Sequence, residues 1–306
     1  DDTEDRQGDG KADAPRGTGP TVHRFADKRL FPEGGAIDPR TGAFYVGSLE
    51  HGNITRVEVD GRESVLFAGT GEQERYTLGM QVNGRNQLWV CTTKDSLGSI
   101  WMFDLATGTR TADVALTSVN PKAACNDLLF VDDDTALVSD RENAHIYRVR
   151  SDGSVTIWAH HDLLEGGLVS LNSLAFSEDR RYLLTATYLP PRLVRVAVDN
   201  PADVRNVRLS GDAFMDGFNL LNGPDDLLMV NGQLLVAFGS SLKRIVPSDS
   251  TWTRATVRST KTIGGVTALM RDGDQVFAAN GQSVRFALGV SPQPFQIFEV
   301  LVDDLR

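Results

Sequence analysis

A short apolar pattern recurs six times along the chain and constrains its fold more than any other feature. Each copy begins with an aliphatic residue that is followed three positions later by a second apolar residue, and successive copies begin 46 to 55 residues apart. The leading residues are Ile54, Ile100, Ile146, Leu193, Leu242 and Ile297. A repeated unit of this length with β-branched, strand-like content is typical of a β-propeller, in which each unit forms one blade.

Two further apolar runs precede each copy, joined by turn-rich connectors such as DPRTG and RDGD. The predicted fold is therefore all-β, a six-bladed propeller of residues 22–306 in which the first five blades have room for a fourth, outer strand. The chain ends too soon after the sixth copy to supply that strand, and an open edge would be exposed. We expect residues 22–25 to fill this place and close the ring. Residues 280–295 form an unusually long link in blade six and are a candidate lid.

The start of the chain is predicted to be a flexible acidic tether, residues 1–21. Its first twenty residues contain no aliphatic, aromatic or sulfur side chain other than alanine, so they cannot bury enough surface to become ordered. The tether resembles the segment that follows the lipidated cysteine of bacterial lipoproteins. This predicts a bacterial, extracytoplasmic protein, either secreted or held by a lipid anchor upstream of the tether. The alternative is a fragment whose first residue has no biological meaning.

Charge narrows the choice of partner. The 306 residues carry a net charge of -10 and give an isoelectric point near 5.0. Such a balance argues against a nucleic-acid surface and against a polybasic membrane patch. No apolar run approaches the roughly 20 residues of a transmembrane helix. A small molecule is the expected partner.

The chain contains two cysteines, Cys91 and Cys125. Two are too few for a disulfide scaffold, and their spacing fits no zinc ribbon. Both are predicted near the same end of neighbouring blades, so they can pair in an oxidising compartment. Two separate buried thiols are the favoured interpretation, since free cysteine packs as a small apolar side chain.

One repeat position carries the candidate chemistry. The residues that begin the six innermost strands should surround the central tunnel at one level and form a column of equivalent positions. The column consists of Glu33, Leu78, Asn126, Asn172, Asp225 and Val266. Four of them offer oxygen atoms, and two of those four are carboxylates that would repel each other in a confined site. An all-oxygen set suits a hard divalent cation, calcium first, with zinc, manganese or magnesium as alternatives. The competing interpretation is a set of Asn and Asp residues that only cap turns.

Four segments carry a resemblance to a known family: FPEGGAIDP, ACNDLLFVDDDTALVSD, LNSLAFSEDRRYLLTAT and NGPDDLLMVNGQLLVAF. They resemble the senescence marker protein/gluconolactonase/luciferin-regenerating enzyme-like family of six-bladed propellers. The resemblance implies a divalent metal in the tunnel and hydrolysis of lactones or related esters. It assigns the metal ligands to Glu33, Asn126, Asn172 and Asp225, and makes Asp225 the preferred general base or water-orienting residue.

Three positions depart from the family pattern. Sugar-lactone enzymes of the family have an arginine where this chain has Ala124, and the usual Asn-Gly and Asp-Gly pairs are here Asn172-Ser173 and Asp225-Asp226. These departures keep a second hypothesis open, a non-catalytic propeller that binds a small ligand and uses calcium structurally. Strictosidine-synthase-like proteins use a sixth-blade Glu where this chain has Val266, which disfavours that relationship.

Substrate contacts are expected from the loops that link second and third strands, since these loops lie on the same face as the column. The candidate substrate-binding residues are His51, Asp95, Asp140, Tyr188 and Ser240. For His51, a solvent-exposed loop position remains the simpler interpretation.

Overall fold

Strands dominate the chain and form six separate sheets. The computed structural model describes residues 18–70, 75–95, 97–167, 169–215, 223–239, 241–259 and 265–301. The first strand is β1, Thr18–Arg24. Blade one contains β2 Gly35–Ile37, β3 Phe44–Val46, β4 Ile54–Val57 and β5 Glu63–Phe67. Blade two contains β6 Tyr76–Val82, β7 Gln87–Lys94, β8 Leu97–Asp104 and β9 Thr109–Ala115.

The next two blades repeat the same order. Blade three contains β10 Cys125–Asp132, β11 Thr135–Asp140, β12 His145–Arg150 and β13 Val155–His160. Blade four contains β14 Leu174–Phe176, β15 Tyr182–Thr187, β16 Arg192–Ala197 and β17 Val204–Asn206.

Blades five and six depart from this order. Blade five contains β18 Arg208–Gly211, β19 Pro224–Val230, β20 Gln233–Phe238, β21 Ser241–Pro247 and β22 Arg254–Ser259. Its fifth strand, β18, runs parallel to β22 and was not predicted. Blade six contains β23 Ala268–Asp272, β24 Gln275–Ala279 and β25 Gln296–Val300, with the short helix α1 Ser283–Ala287 between β24 and β25.

The six innermost strands make a closed ring. They contact one another in the cyclic order β2, β6, β10, β14, β19, β23 and back to β2. Their side chains pack between the blades; Phe44 of blade one, for example, meets Phe277 of blade six with ring centroids 5.2 Å apart. The structure thus confirms the predicted six-bladed all-β propeller.

The ring closes through β1, as predicted. This strand pairs antiparallel with β25, placing His23 opposite Ile297 and Thr18 opposite Val300. The strand begins at Thr18, so residues 18–21 belong to blade six rather than to the predicted tether. Strand pairing uses backbone groups, and it can therefore extend past the last apolar side chain. Residues 1–17 of the tether lie outside the described residues.

Helical structure is sparse in the described chain, and none of the helices there has the length and apolar character needed to cross a bilayer.

A disulfide joins blades two and three. Cys91 of β7 and Cys125 of β10 are bonded, with their Cα atoms 5.7 Å apart and both side chains fully buried. The favoured expectation of two separate thiols is therefore wrong. The spacing of the two cysteines in the sequence does not show how closely the second strand of blade two approaches the innermost strand of blade three.

Reducing this disulfide is expected to lower the free energy of unfolding by roughly 4 kcal/mol, because it closes a loop with a sequence separation of 34 residues in the unfolded chain. Urea unfolding of the native protein with and without reductant measures the effect. The Cys91→Ala/Cys125→Ala variant is the control, and it should not respond to reductant. An identical urea midpoint for oxidised and reduced native protein would contradict the prediction.

Candidate metal and substrate site in the central tunnel

The column residues lie where the innermost strands leave regular pairing. The ladder is interrupted between Thr77 and Met80 in β6, between Cys125 and Leu128 in β10, and between Pro224 and Asp226 in β19. Each interruption contains a column position. Bulges of this kind turn side chains away from the sheet and are common beside functional sites. Here they release Asn126 and Asp225 from the usual alternation.

Three of the four oxygen-bearing residues are linked in a chain of hydrogen bonds. The Asn126 side-chain amide donates to Asn172 Oδ1 at 3.1 Å, and the Asn172 amide donates to Asp225 Oδ1 at 3.1 Å. The same amides also donate to the backbone carbonyls of Asn172 and Pro224 at 3.0 Å. With its donors used in this way, each amide keeps its oxygen as an acceptor. The arrangement concentrates acceptor atoms at one level of the tunnel.

Glu33, from blade one, is the fourth oxygen-bearing residue of the column. Its Oε2 atom is buried and has no hydrogen-bond partner among the described residues. Burial raises the pKa of Glu33 well above its ordinary value, the negative charge of Asp225 raises it further, and the guanidinium of Arg141 opposes the shift. A buried carboxylate without a donor is costly unless it takes up a proton or meets a cation.

The carboxyl of Asp225, like that of Glu33, has a raised pKa. Burial raises its pKa to about 7, and the neighbouring carboxylate of Asp226 contributes next. The hydroxyl of Ser283, in the predicted lid, donates to Asp225 Oδ2 at 3.4 Å. Without a cation, burial shifts both this carboxyl and Glu33 toward their protonated forms, and the charge of Asp225 adds to the effect at Glu33.

A second polar layer lies one residue deeper in the tunnel, and sequence reasoning missed it. Ser173 Oγ is 2.8 Å from Asp127 Oδ2 and 2.6 Å from Asp226 Oδ1. Burial is the main cause that raises the pKa of Asp127 to about 7 and that of Asp226 to about 6. Both carboxyls accept backbone N–H groups of the inner strands, for example from Leu174 and Leu269.

This layer explains two of the three departures from the family pattern. Ser173 and Asp226 stand where glycines are usual, and they contact each other directly, so the two changes form one interaction. Together with Asp127 they supply hydrogen-bond partners for backbone groups at the irregular strand starts. The signal available in sequence was only that each residue directly follows a column residue. Gly79 gives Asp127 its space, because a Cβ at Gly79 would lie 2.2 Å from Asp127 Oδ1.

The predicted lid lies over this end of the tunnel. In α1, Phe286 packs against Phe31 and Tyr76, with ring centroids 5.1 and 6.1 Å apart. Gln282 exchanges hydrogen bonds with the backbone of Gln293 in both directions, at 2.9 and 2.8 Å. The segment of residues 280–295 is therefore fastened at its base while Ser283 reaches Asp225.

The predicted substrate-binding residues fall into different environments. Tyr188 is half-buried, and its ring lies against Gly223, two residues before Asp225. Burial raises its pKa, and the charges of Asp225 and Glu33 add to the shift. His51 lies at the edge, with Nε2 3.7 Å from Asp27 Oδ2, and Asp95 is an exposed turn residue with a φ of 50°. Ser240 lies outside the described residues.

Asp140 is committed to its own loop. It is fully buried, and it accepts hydrogen bonds from the Tyr147 hydroxyl at 2.6 Å and from the Asn143 side chain and backbone at 2.9 and 3.0 Å. These hydrogen bonds order the loop that carries Arg141 and use acceptor positions of Asp140 that a substrate would otherwise contact, so a substrate role for Asp140 stays a prediction.

The column opens into a cavity of about 550 Å³ along the innermost strands. Glu33, Asn126 and Asp225 line its polar end, and Leu129, Leu228 and Leu269 line the wall beyond them. The described residues contain no group of three His, Cys, Asp or Glu side chains in metal-binding geometry. A site at the column therefore depends on the amide oxygens as well as on the two carboxylates.

Comparison with known proteins agrees with this architecture. Residues 31–259 match the family model described as the SMP-30/gluconolactonase/LRE-like region, which spans blades one to five. At the level of sequence alone, no curated protein matches significantly.

Several solved structures share the fold. A gluconolactonase from Xanthomonas campestris is 19% identical, with a TM-score of 0.65 over 94% of this chain and 95% of that one. The calcium-binding protein regucalcin from Agrobacterium tumefaciens is 18% identical, with a TM-score of 0.64 over 94% and 93%. An aldose sugar dehydrogenase from Streptomyces coelicolor in its PQQ-bound form is 16% identical, with a TM-score of 0.67 over 94% and 100%. At these identities the likeness shows the fold alone.

Proposed function

Because the chain belongs to the SMP-30/gluconolactonase/LRE-like family, we propose that it hydrolyses lactones or related esters with the help of a divalent cation, calcium first. The proposed ligands are Glu33, Asn126, Asn172 and Asp225. The proposed substrate is a small molecule that enters the tunnel at the column.

The observation that carries this proposal is the buried Glu33 Oε2 atom, which lacks a donor while Asp225 adds a second negative charge to the same level. A cation removes both costs at once, and the amide oxygens of Asn126 and Asn172 add neutral ligands of the type that calcium accepts. Regucalcin and gluconolactonase among the structural neighbours are consistent with either metal binding or lactone hydrolysis.

When bound, a divalent cation here would supply positive charge that polarises the substrate carbonyl and stabilises the developing oxyanion. Asp225 would accept a proton from the attacking water as the water oxygen bonds to the carbonyl carbon. The ring C–O bond then breaks, and the proton passes to the leaving alkoxide, which gives a hydroxy acid. Asn172 and Ser283 hold the two oxygens of Asp225 in place through their hydrogen bonds, at 3.1 and 3.4 Å. Phe286, which packs against Phe31 and Tyr76, would limit the access of bulk water together with the rest of the lid.

A panel of lactones and aryl esters, assayed with added calcium and with chelator, tests the proposal. We expect turnover that chelator removes and that calcium restores, because the ion contributes to transition-state stabilisation. Thermal unfolding is followed in parallel. Loss of stability in chelator without turnover of any ester would contradict the hydrolase and support a ligand-binding propeller with structural calcium.

We further propose an extracytoplasmic location. The disulfide between Cys91 and Cys125 supports it, since such bonds persist in oxidising compartments. Fractionation of cells that express the native gene, combined with lipid labelling, separates a secreted protein from a lipid-anchored one.

A further inference from the structure

The cavity in the tunnel continues past the two polar layers toward the opposite face of the propeller. The column lies near the start of every innermost strand, so the later residues of these strands lie nearer that face. This part of the cavity, named here the far chamber, is lined by apolar side chains. They are Ile37, Leu129, Ala175, Phe176, Leu228 and Leu269. Such a lining is suited to an apolar part of a small ligand.

The second polar layer forms the inner end of the far chamber. Asp127, Ser173 and Asp226 line the cavity, and each lies two residues before an apolar residue of the chamber. Alternate residues of a strand face the same side, which places the layer directly above the apolar wall. The side chains of the layer accept backbone N–H groups, among them those of Leu174 and Leu269. The end of an apolar chain can therefore lie against this layer without breaking a hydrogen bond.

Two arginines lie at the open end of the far chamber, and both line the cavity. Arg180 follows β14; its Cζ atom lies 4.3 Å from the ring centroid of Phe176, and its Nη2 donates to the Val131 carbonyl at 2.8 Å. Arg271 of β23 donates through Nη1 to the Met229 carbonyl at 3.1 Å. Each guanidinium is thus held against a neighbouring blade, and it loses little conformational freedom when it binds a ligand.

Both guanidiniums keep donor groups for a ligand. Among the described residues, Arg180 makes its hydrogen bonds through Nη2 alone, Arg271 leaves Nη2 unused, and neither forms an ion pair. Glu178 also lines the open end, and its Oε2 atom accepts the Gly232 N–H at 3.0 Å. The charged residues that line this end are therefore two arginines and one carboxylate, a balance that suits an oxygen anion.

We propose that the far chamber is a second ligand site, which binds a medium-chain aliphatic carboxylate. The alkyl chain fills the apolar section, and the carboxylate lies at the open end, where Arg180 and Arg271 donate to it. Exposed ion pairs contribute little by themselves, so burial of the chain supplies most of the affinity and the arginines supply the preference for an anion. The site is separated from the column by the second polar layer, and the inference does not rest on the proposed hydrolysis.

Calorimetry with hexanoate, octanoate and neutral octanamide tests this assignment. The titrations are made in chelator, so that the carboxylate finds no cation at the column. Octanoate should bind about tenfold more tightly than hexanoate, because it buries two more methylene groups. It should also bind about tenfold more tightly than octanamide, because only the carboxylate accepts charge-assisted hydrogen bonds from arginine.

Variants separate the two parts of the site. Arg180→Gln/Arg271→Gln should abolish the preference for octanoate over octanamide and keep the preference for the longer chain; both arginines are exposed, so this variant should fold. Leu228→Trp narrows the chamber and should weaken octanoate binding about tenfold. Arg150→Gln, at an exposed position of β12 that does not line the cavity, is the matched control.

Three results would overturn the inference. The first is equal binding of hexanoate and octanoate by the native protein, which would show that the chain is not buried. The second is a preference for octanoate over octanamide that survives in Arg180→Gln/Arg271→Gln. The third is octanoate binding that folded Leu228→Trp leaves unchanged.

Discussion

Asp225→Ala is expected to reduce kcat/KM for the best lactone or ester by about 1,000-fold or more, because it removes a charged ligand and the proposed base together. The side chain is half-buried, it accepts a hydrogen bond from Asn172, and its pKa is raised to about 7, chiefly by desolvation. Initial rates on the lactone panel, together with calcium content after dialysis, measure the loss. Unchanged turnover in this variant would refute the assignment.

Two further variants separate the roles of Asp225. Asp225→Asn keeps an oxygen ligand but cannot accept the proton, so calcium retained without turnover would identify the base role. Loss of calcium in Asp225→Asn would show that the charged ligand matters first. Asp274→Ala, an exposed residue in the turn between β23 and β24, is the matched control and should behave like the native protein.

Calcium should stabilise the protein more at high pH than at low pH. Burial is the main cause that raises the pKa of Asp225 and of Asp127 to about 7 and that of Asp226 to about 6, from an ordinary value of 3.8. The folded state therefore holds these protons more tightly than the unfolded state does. The resulting stabilisation is present below about pH 4 and is lost as pH rises through 6 to 7. A bound cation compensates the negative charge of Asp225 directly and so removes part of this loss.

Thermal unfolding between pH 5 and pH 8, with calcium or with chelator, measures this effect. At pH 8, a calcium concentration of about 1,000 times its Kd should raise Tm by roughly 10 °C, and this shift in Tm should shrink toward pH 5. Glu33→Gln, which removes one charge from the site, should lose most of the calcium effect at pH 8. A calcium shift that is independent of pH, or a metal-free protein that becomes more stable from pH 5 to pH 8, would contradict the prediction.

The sequence by itself determined the architecture and the level of the candidate site. A propeller repeats one unit around an axis, so equivalent positions in the repeat lie at the same height in the tunnel. The repeat therefore predicts that Glu33, Asn126, Asn172 and Asp225 lie at one level of the tunnel. The same logic identified the closing strand, because an incomplete last blade leaves an edge that another segment must cover.

Only the tertiary structure decided which side chains from different blades meet. The bond between Cys91 and Cys125 and the contact between Ser283 and Asp225 join residues whose separation in sequence carries no periodic signal. These contacts depend on bulges and on loops of unequal length, which shift side chains by a few ångströms. Periodicity predicts the height of a residue in the tunnel, whereas the direction of its side chain depends on local backbone geometry and packing.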